Sequence, residues 1–301
     1  MFLRKIFNWF RSPRVKTFLV NLLPYKIRFF IVRFYHKINK IIPSGKELGF
    51  EIHIAEHCNL NCKCCSHFSP LAKDGFLSLQ DFEKQIKRIS QLTKKLRYVL
   101  LVGGEPLLHP QVCGFIEIVR KYFPDTPIEL TTNGILLPKM PDSFWQTVKK
   151  HNCHIRVSGY PIDIHFEKIR KEIDSGIKIT YDYNPILHND GFSKIPLDLD
   201  GKQNIRKNFF NCSYANSCFT LRDGRLYTCS IAAHIRFFNQ YFQKNLLATE
   251  QDSINIYEVK NIKEILTFLR KPIPFCRYCK INNIQYKIPW GVSKKDISEW
   301  N

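Results

Sequence analysis

The sequence predicts an α/β fold in which helices cover a largely parallel β-sheet. Short apolar runs alternate with segments of helical periodicity from Gly49 to about residue 181. The runs are nearly continuous in apolar residues, as in strands buried on both faces. Several residues that can carry chemistry follow the ends of these runs, where parallel folds gather their functional sites.

Five strands and four helices account for this alternation. The helix after the first strand begins at Ser78, an N-cap with Asp81 three residues later. Beyond about residue 200 the alternation fades, and 211–301 is predicted to be loop-rich with a hairpin at Asp223–Gly224. The predicted strands are 50–54, 98–102, 128–132, 154–158 and 177–181, and the helices are 78–92, 112–123, 142–151 and 165–174.

The charge distribution disfavours a nucleic-acid-binding protein. The chain has 301 residues, 44% of them hydrophobic, and a formal net charge of +20. Residues 1–46 hold eleven Lys and Arg and no acidic residue, so over half of the excess lies in this segment. The remainder is only mildly basic, which is not the basic surface that nucleic acids require.

Residues 1–46 are predicted to contain a basic amphipathic helix. Ile27, Phe30, Ile31 and Phe34 recur at helical spacing, with basic residues off that stripe. Such a segment either docks on an anionic membrane surface or packs on the protein's own body. Its longest uncharged stretch, 17–25, is too short to span a bilayer. With no recognisable secretory signal, we expect a cytoplasmic protein, peripheral on the inner membrane face if the segment docks there.

The stretch "HCNLNCKCC" at 57–65 is the densest group of possible metal ligands. Its spacing Cys58-x3-Cys62-x2-Cys65 offers three thiolates on one loop. Soft sulfur ligands select zinc, copper(I) or iron–sulfur clusters. Three ligands to a four-iron cluster leave one iron open to a small molecule. In the zinc alternative, His57 or His67 supplies the fourth ligand of a closed structural site.

Together with "GGEP" (103–106) after the second strand, this cysteine spacing resembles the radical S-adenosylmethionine (radical SAM) superfamily. The resemblance covers roughly residues 48–205. It implies a partial (β/α)6 TIM-type barrel with a [4Fe–4S] cluster on Cys58, Cys62 and Cys65. The open iron would bind S-adenosylmethionine, whose reductive cleavage gives a 5′-deoxyadenosyl radical that abstracts hydrogen from a substrate. An electron donor such as flavodoxin or ferredoxin is implied as partner.

The resemblance also implies a set of residues that bind S-adenosylmethionine. "GGEP" would contact its methionyl amino group, with the two glycines permitting close backbone approach and the last two residues shaping the turn. The asparagine of "TTNG" (131–134) and the serine that closes the fourth strand are weaker candidates. Cys64 occupies a position where family members often carry an aromatic residue, and we interpret it as a spare thiol. The predicted set is Gly103, Gly104, Glu105, Pro106, Asn133 and Ser158.

A second group of five cysteines lies in the last third of the chain. The Cys-x10-Cys pattern with glycine five residues before its second cysteine, followed by Cys-x2-Cys, resembles the SPASM and twitch extensions of radical SAM enzymes. No cysteine follows Cys279, so the resemblance implies one auxiliary cluster, a [4Fe–4S] held by four of the five. The alternative is a structural zinc ribbon. The candidates are Cys212, Cys218, Cys229, Cys276 and Cys279.

Three segments are therefore predicted: 1–46, a basic amphipathic segment; 47–205, a radical SAM core; and 206–301, an auxiliary-cluster domain. Related enzymes modify peptides, protein side chains or sugars. The basic segment favours a small or membrane-linked substrate, such as a saccharide intermediate, over a peptide. A non-catalytic iron–sulfur or zinc protein is a further alternative. Most histidines, including His53, His109 and His154, are expected to be structural, and His67 is the first to test.

Overall fold

The computed structural model describes residues 48–172, 176–182, 192–215 and 219–301. Their strands are β1 (Leu48–Ala55), β2 (Leu96–Gly103), β3 (Ile128–Thr132), β4 (Cys153–Ser158), β5 (Ile179–Asp182), β6 (Phe192–Lys194), β7 (Thr220–Arg222), β8 (Arg225–Tyr227), β9 (Ser253–Asn255) and β10 (Gln285–Ile288). Their helices are α1 (Leu79–Leu92), α2 (Val112–Tyr122), α3 (Asp142–Lys150), α4 (Phe166–Glu172), α5 (Ile205–Asn211), α6 (Ser230–Phe242) and α7 (Ile262–Phe268).

The predicted strand–helix alternation is confirmed. Strands β1 to β5 are parallel and adjacent in chain order, as expected for a partial (β/α) barrel. The side chain of Ser78 caps α1 by accepting a hydrogen bond from the Asp81 amide at 3.0 Å. Because these strands are parallel, their carboxyl ends lie at one edge of the sheet.

The predicted hairpin forms and extends this sheet on its other side. Strands β7 and β8 are antiparallel, joined through Asp223 and Gly224, which both have positive φ angles. Strand β7 pairs with β1 in parallel, and the sheet order is β5-β4-β3-β2-β1-β7-β8-β9. The sequence did not predict this pairing, nor α6, the 13-residue helix that follows the hairpin.

Strand β1 alternates between two environments. Leu48, Phe50, Ile52 and Ile54 belong to the main hydrophobic core with α1 and α2. Glu51 and His53, of opposite parity, are buried on the other face. The strand is therefore buried throughout but apolar on one face only.

Two hydrophobic clusters pack around this framework. The larger joins β1 to β5 with α1, α2 and α3 and also includes Leu221 and Leu226 of the hairpin. The smaller contains α5, α6 and the C-terminal segment, and Phe68 and Leu71 from the cysteine-loop region join it. Segments on both sides of residue 205 thus pack in both clusters.

Two expectations lie outside the described residues. Segment 1–46, with its amphipathic pattern, is one, and Cys218 is the other. Among the helices of the described part, none combines the length and apolarity needed to cross a membrane. The divisions at residues 46 and 205 stay predictions.

Candidate radical SAM site

The cysteine loop follows β1 and is wound tightly. Asn61, Cys64 and Phe68 all have φ angles between 48° and 59°, in the left-handed region. These turns allow three thiols separated in sequence to face one cavity of about 250 Å³. Cys58, Cys62 and Cys65 line this cavity at the carboxyl ends of the strands.

The two glycines of "GGEP" lie directly against the cysteine loop. The amide of Gly104 donates to the carbonyl of Ala55 at 2.9 Å, and that of Glu105 donates to His57 at 3.0 Å. A Cβ on Gly104 would lie 2.1 Å from the His57 oxygen, and one on Gly103 would lie 2.4 Å from the Ala55 oxygen. Both glycines line the cavity, but the approach that requires them is to the loop backbone.

Glu105 ties the ends of β2 and β3 together. Its buried carboxylate accepts hydrogen bonds from the Leu107 amide at 3.0 Å, the Thr132 hydroxyl at 2.6 Å and the Asn133 amide at 2.8 Å. Burial nevertheless raises the pKa of Glu105 to about 7, since desolvation outweighs the three hydrogen bonds that favour the charged form. Pro106, next in the motif, begins a buried one-turn helix, Pro106–Leu108.

Asn133 connects this network to the first cysteine. Its side-chain amide donates to the Asn59 oxygen at 2.7 Å and lies 3.8 Å from the sulfur of Cys58. Ser158, the last residue of β4, lines the same cavity. The ends of β1, β2, β3 and β4 therefore each contribute to one site, which is the arrangement that the sequence predicts.

The protein environment disfavours free thiolates at the three cysteines. Burial raises the pKa of Cys58 to about 11 and that of Cys62 to about 12, and it also raises the pKa of Cys65. A cationic iron–sulfur core would supply the positive charge that stabilises three thiolates here. The donor set therefore fits a cluster.

The spacing of the sulfurs does not fit a closed zinc site. In the described part of the chain, two groups of three potential ligand atoms lie within 4.8 Å of one another, and neither contains a cysteine. Sulfurs around a tetrahedral zinc ion lie about 3.8 Å apart, from a Zn–S bond of about 2.3 Å. The two histidines weighed as zinc ligands lie in different places: His57 Nδ1 accepts from the Gly75 amide at 3.4 Å, whereas His67 lines the cavity.

Cys64 lies beside the three, at the border of the cavity and a smaller one next to it. Its φ of 59° follows from the tight loop. Burial raises the pKa of its thiol, and the charge of Lys194 acts in the opposite direction. The assignment of Cys64 as a spare thiol stays a prediction.

A C-terminal segment that the sequence analysis missed holds the loop from the other side. The Trp290 indole donates to the sulfur of Cys62 at 3.2 Å. Backbone hydrogen bonds join Lys63 to Gly291 at 2.9 Å and Ser293 to Asn61 at 2.7 Å. The 228-residue separation between Trp290 and Cys62 left no local sequence signal for this contact.

The second cysteine group also gathers in space. Cys212, Cys229, Cys276 and Cys279 are all buried. Burial raises the pKa of Cys279 well above its ordinary value, and the neighbouring charges of the other three act in the same direction. The side-chain amide of Asn208 donates to the carbonyls of Cys276 (2.9 Å) and Cys279.

Tyr160 is another residue of the cavity that the sequence did not indicate. Burial raises its pKa well above 10, and the three cysteines act in the same direction. Its hydroxyl is therefore a neutral group near the thiols.

His109 and His154 have structural hydrogen bonds: His109 with the Leu77 carbonyl at 3.0 Å, and His154 with Glu129 at 2.9 Å.

Comparison with curated proteins gives matches to part of the chain. A GTP 3′,8-cyclase of Aliarcobacter butzleri is 37% identical over 100 residues, covering 32% of this chain and 30% of that protein. A GTP 3′,8-cyclase of Campylobacter lari is 29% identical over 126 residues, covering 40% and 38%. The chain thus spans about a third of the length of the curated relatives that it matches.

Solved structures give longer but weaker likenesses. The crystal structure of BtrN in complex with AdoMet and 2-DOIA superposes with a TM-score of 0.48 at 14% identity, over 78% of this chain and 94% of that one. Native anSMEcpe with bound AdoMet gives a TM-score of 0.46 at 15% identity, over 78% and 90%.

The family comparison covers the strands that carry the site. The model of the Radical SAM superfamily matches residues 52–178, from within β1 to just before β5. This range contains the cysteine loop, "GGEP" and "TTNG". Residues 52–178, about two fifths of the chain, are therefore similar to the radical SAM superfamily.

Proposed function

We propose that this chain is a radical SAM enzyme with its [4Fe–4S] cluster on Cys58, Cys62 and Cys65. The observation that carries the proposal is the convergence of three thiols, the first three residues of "GGEP" and Asn133 on one cavity. When bound, the cluster and S-adenosylmethionine would supply the 5′-deoxyadenosyl radical. The chain's own residues orient the cysteine loop and supply polar contacts at the strand ends.

The cavity favours a polar, hydroxyl-bearing substrate. Its lining includes many side-chain hydroxyl groups near the thiols, and such groups pair well with the hydroxyls of a saccharide or of ribose. S-adenosylmethionine itself carries a ribose, so these groups suit the cofactor as well, and the proposal of a small or membrane-linked saccharide intermediate over a peptide rests on the basic segment 1–46. The hydroxyl-bearing residues are Ser66, Ser69, Thr131, Ser158, Tyr160, Ser193 and Tyr214, in addition to Thr132, whose hydroxyl donates to Glu105.

The similarity to relatives named GTP 3′,8-cyclase does not support GTP as the substrate of this chain. Their aligned parts cover about a third of either protein, a length comparable to the superfamily domain itself. A shared domain supports shared radical chemistry but leaves the substrate to other segments.

We also propose an auxiliary [4Fe–4S] cluster on Cys212, Cys229, Cys276 and Cys279. The support is the mutual proximity and burial of these four thiols. In the described residues, none of them belongs to a group of three ligand atoms within 4.8 Å of one another, which disfavours a closed zinc site. Cys218, the fifth candidate, lies outside those residues.

Anaerobic reconstitution tests both cluster proposals. We expect about eight irons per chain, from two four-iron clusters, and 5′-deoxyadenosine when reductant and S-adenosylmethionine are added. The triple variant of Cys58, Cys62 and Cys65 to Ala should retain about four irons and form no 5′-deoxyadenosine. Cys153→Ala, which removes a buried thiol outside both groups, is the matched control. Tightly bound zinc with no cleavage would refute the enzyme in favour of a non-catalytic metal protein.

A further inference from the structure

Three histidines meet beside the radical SAM cavity without forming ordinary hydrogen-bonded pairs. His53 comes from β1, His67 from the cysteine-loop region and His234 from α6. The ring centroids of His53 and His234 lie 3.8 Å apart, and those of His53 and His67 lie 4.5 Å apart. Residues from three separate segments thus form one imidazole cluster, in which His53 and His234 are buried and His67 is half-buried.

The free ring nitrogens of this cluster are its unusual feature. Both nitrogens of His53 and Nε2 of His234 are buried and have no hydrogen-bond partner among the described residues. Leaving buried polar atoms unpaired is energetically unfavourable. A ligand between the rings would remove that cost.

The helix backbone fixes the tautomer of His234. Its Nδ1 lies 2.8 Å from the carbonyl of Ser230, which places the proton on Nδ1 and leaves the Nε2 lone pair free. Burial lowers the pKa of both His53 and His234 well below the ordinary value, so the rings are neutral, as ligands must be.

A carboxylate completes the donor set. The ligand atoms of Glu51, His53 and His67 all lie within 4.8 Å of one another. Glu51 is buried on the same face of β1 as His53, and the Thr220 hydroxyl donates to one of its oxygens at 2.8 Å. Its second oxygen is available to a cation.

The charges around the cluster leave room for a cation. Arg222 is the nearby positive group, and its guanidinium contacts Glu56 at 2.5 and 3.2 Å. The charge of Glu56 is therefore balanced by Arg222, so Glu56 is less available to a cation than Glu51 is. Glu51, in contrast, is paired with a neutral hydroxyl.

We propose that Glu51, His53 and His67 form a binding site for one divalent transition-metal ion, zinc or ferrous iron, and that His234 packs against the His53 ring beside it. Imidazole nitrogens with a carboxylate oxygen suit these ions. The site lies next to the cavity, because His67 lines it. The proposal needs no iron–sulfur chemistry and stands apart from the proposed enzyme function.

Zinc alone is the probe, added to the anaerobically reconstituted full-length chain. After dialysis, we expect about one zinc per chain by mass spectrometry. X-ray absorption should show a first shell of nitrogen and oxygen at about 2.0–2.1 Å without sulfur at about 2.3 Å. Zinc below about a tenth of an equivalent, or a first shell containing sulfur, would overturn the proposal.

Matched variants locate the site. His53→Gln and Glu51→Gln should each weaken zinc binding at least about tenfold, since each removes one ligand. His154→Gln is the control, because His154 forms a histidine–carboxylate pair with Glu129 outside the three-ligand groups. If His53→Gln does not fold, zinc binding by Glu51→Gln and the X-ray absorption spectrum of the zinc-loaded wild type still test the proposal. Equal zinc binding in Glu51→Gln and wild type would overturn the assignment, whereas loss of S-adenosylmethionine cleavage alone would not.

Discussion

The buried carboxylate of Glu105 gives a test of the site that needs no cofactor. Burial raises its pKa from the ordinary 4.5 to about 7. The folded chain therefore binds this proton more tightly than the unfolded chain. The contribution of the group to stability is fully present below pH 4.5 and is lost as the pH rises through 7.

The size of the effect follows from the pKa difference. At 1.36 kcal/mol per pKa unit, ionising Glu105 in the fold costs about 3 kcal/mol, of which about 2.5 kcal/mol falls between pH 5 and pH 8. Glu105→Gln cannot ionise. The free energy of unfolding of wild type relative to Glu105→Gln should thus fall by about 2.5 kcal/mol across that range.

Urea denaturation of the reduced, cluster-free chain, followed by circular dichroism at several pH values, measures this difference. Glu117→Gln, on the exposed face of α2, is the matched control. A pH-independent difference for Glu105→Gln would refute the reasoning. It would mean that the three hydrogen bonds from Leu107, Thr132 and Asn133 outweigh desolvation.

Three further predictions concern the cluster sites. Trp290→Phe removes the hydrogen bond to the Cys62 sulfur. It should lower the reduction potential of the cluster by about 40 mV in an electron paramagnetic resonance titration, a value that corresponds to about 1 kcal/mol for one hydrogen bond. The control Trp145→Phe should leave the potential unchanged. An unchanged potential in Trp290→Phe would contradict this role. Gly104→Ala places a Cβ 2.1 Å from a loop carbonyl oxygen, so it should abolish incorporation of the first cluster, leaving about four irons per chain; full iron content would show that the loop adapts. Asn208→Ala removes two hydrogen bonds to C-terminal cysteine carbonyls and should destabilise the fold by about 1–3 kcal/mol in urea denaturation; an effect below about 0.5 kcal/mol would contradict it.

The barrel strands were predictable because each is specified locally. Five short apolar runs separated by helical periodicity identify β1 to β5, and Ser78 marks the start of α1 through its side-chain cap. Parallel pairing then brings the residues after each strand to one edge. For the same reason, the cysteine loop, "GGEP", Asn133 and Ser158 could be assigned from sequence to one edge of the sheet, where all of them except Pro106 line one cavity.

What was not predictable depends on contacts between distant segments. The pairing of β7 with β1 and the contact of Trp290 with Cys62 join residues 169 or more positions apart. The helix α6 carries apolar residues on most of its surface because it is largely buried, so it lacks the polar face on which recognition of amphipathic helices rests. His53 was interpreted as structural because a single histidine on a strand carries no signal of its neighbours.

The contacts of the cysteine loop explain why the two halves of the chain form one site. On one side the loop backbone bonds to Gly104 and Glu105, and on the other to Gly291 and Ser293. Glycines are required on the first side because backbone meets backbone there, and the second side adds an indole donor to a thiol. The loop's conformation therefore depends on the C-terminal segment as well as on the barrel.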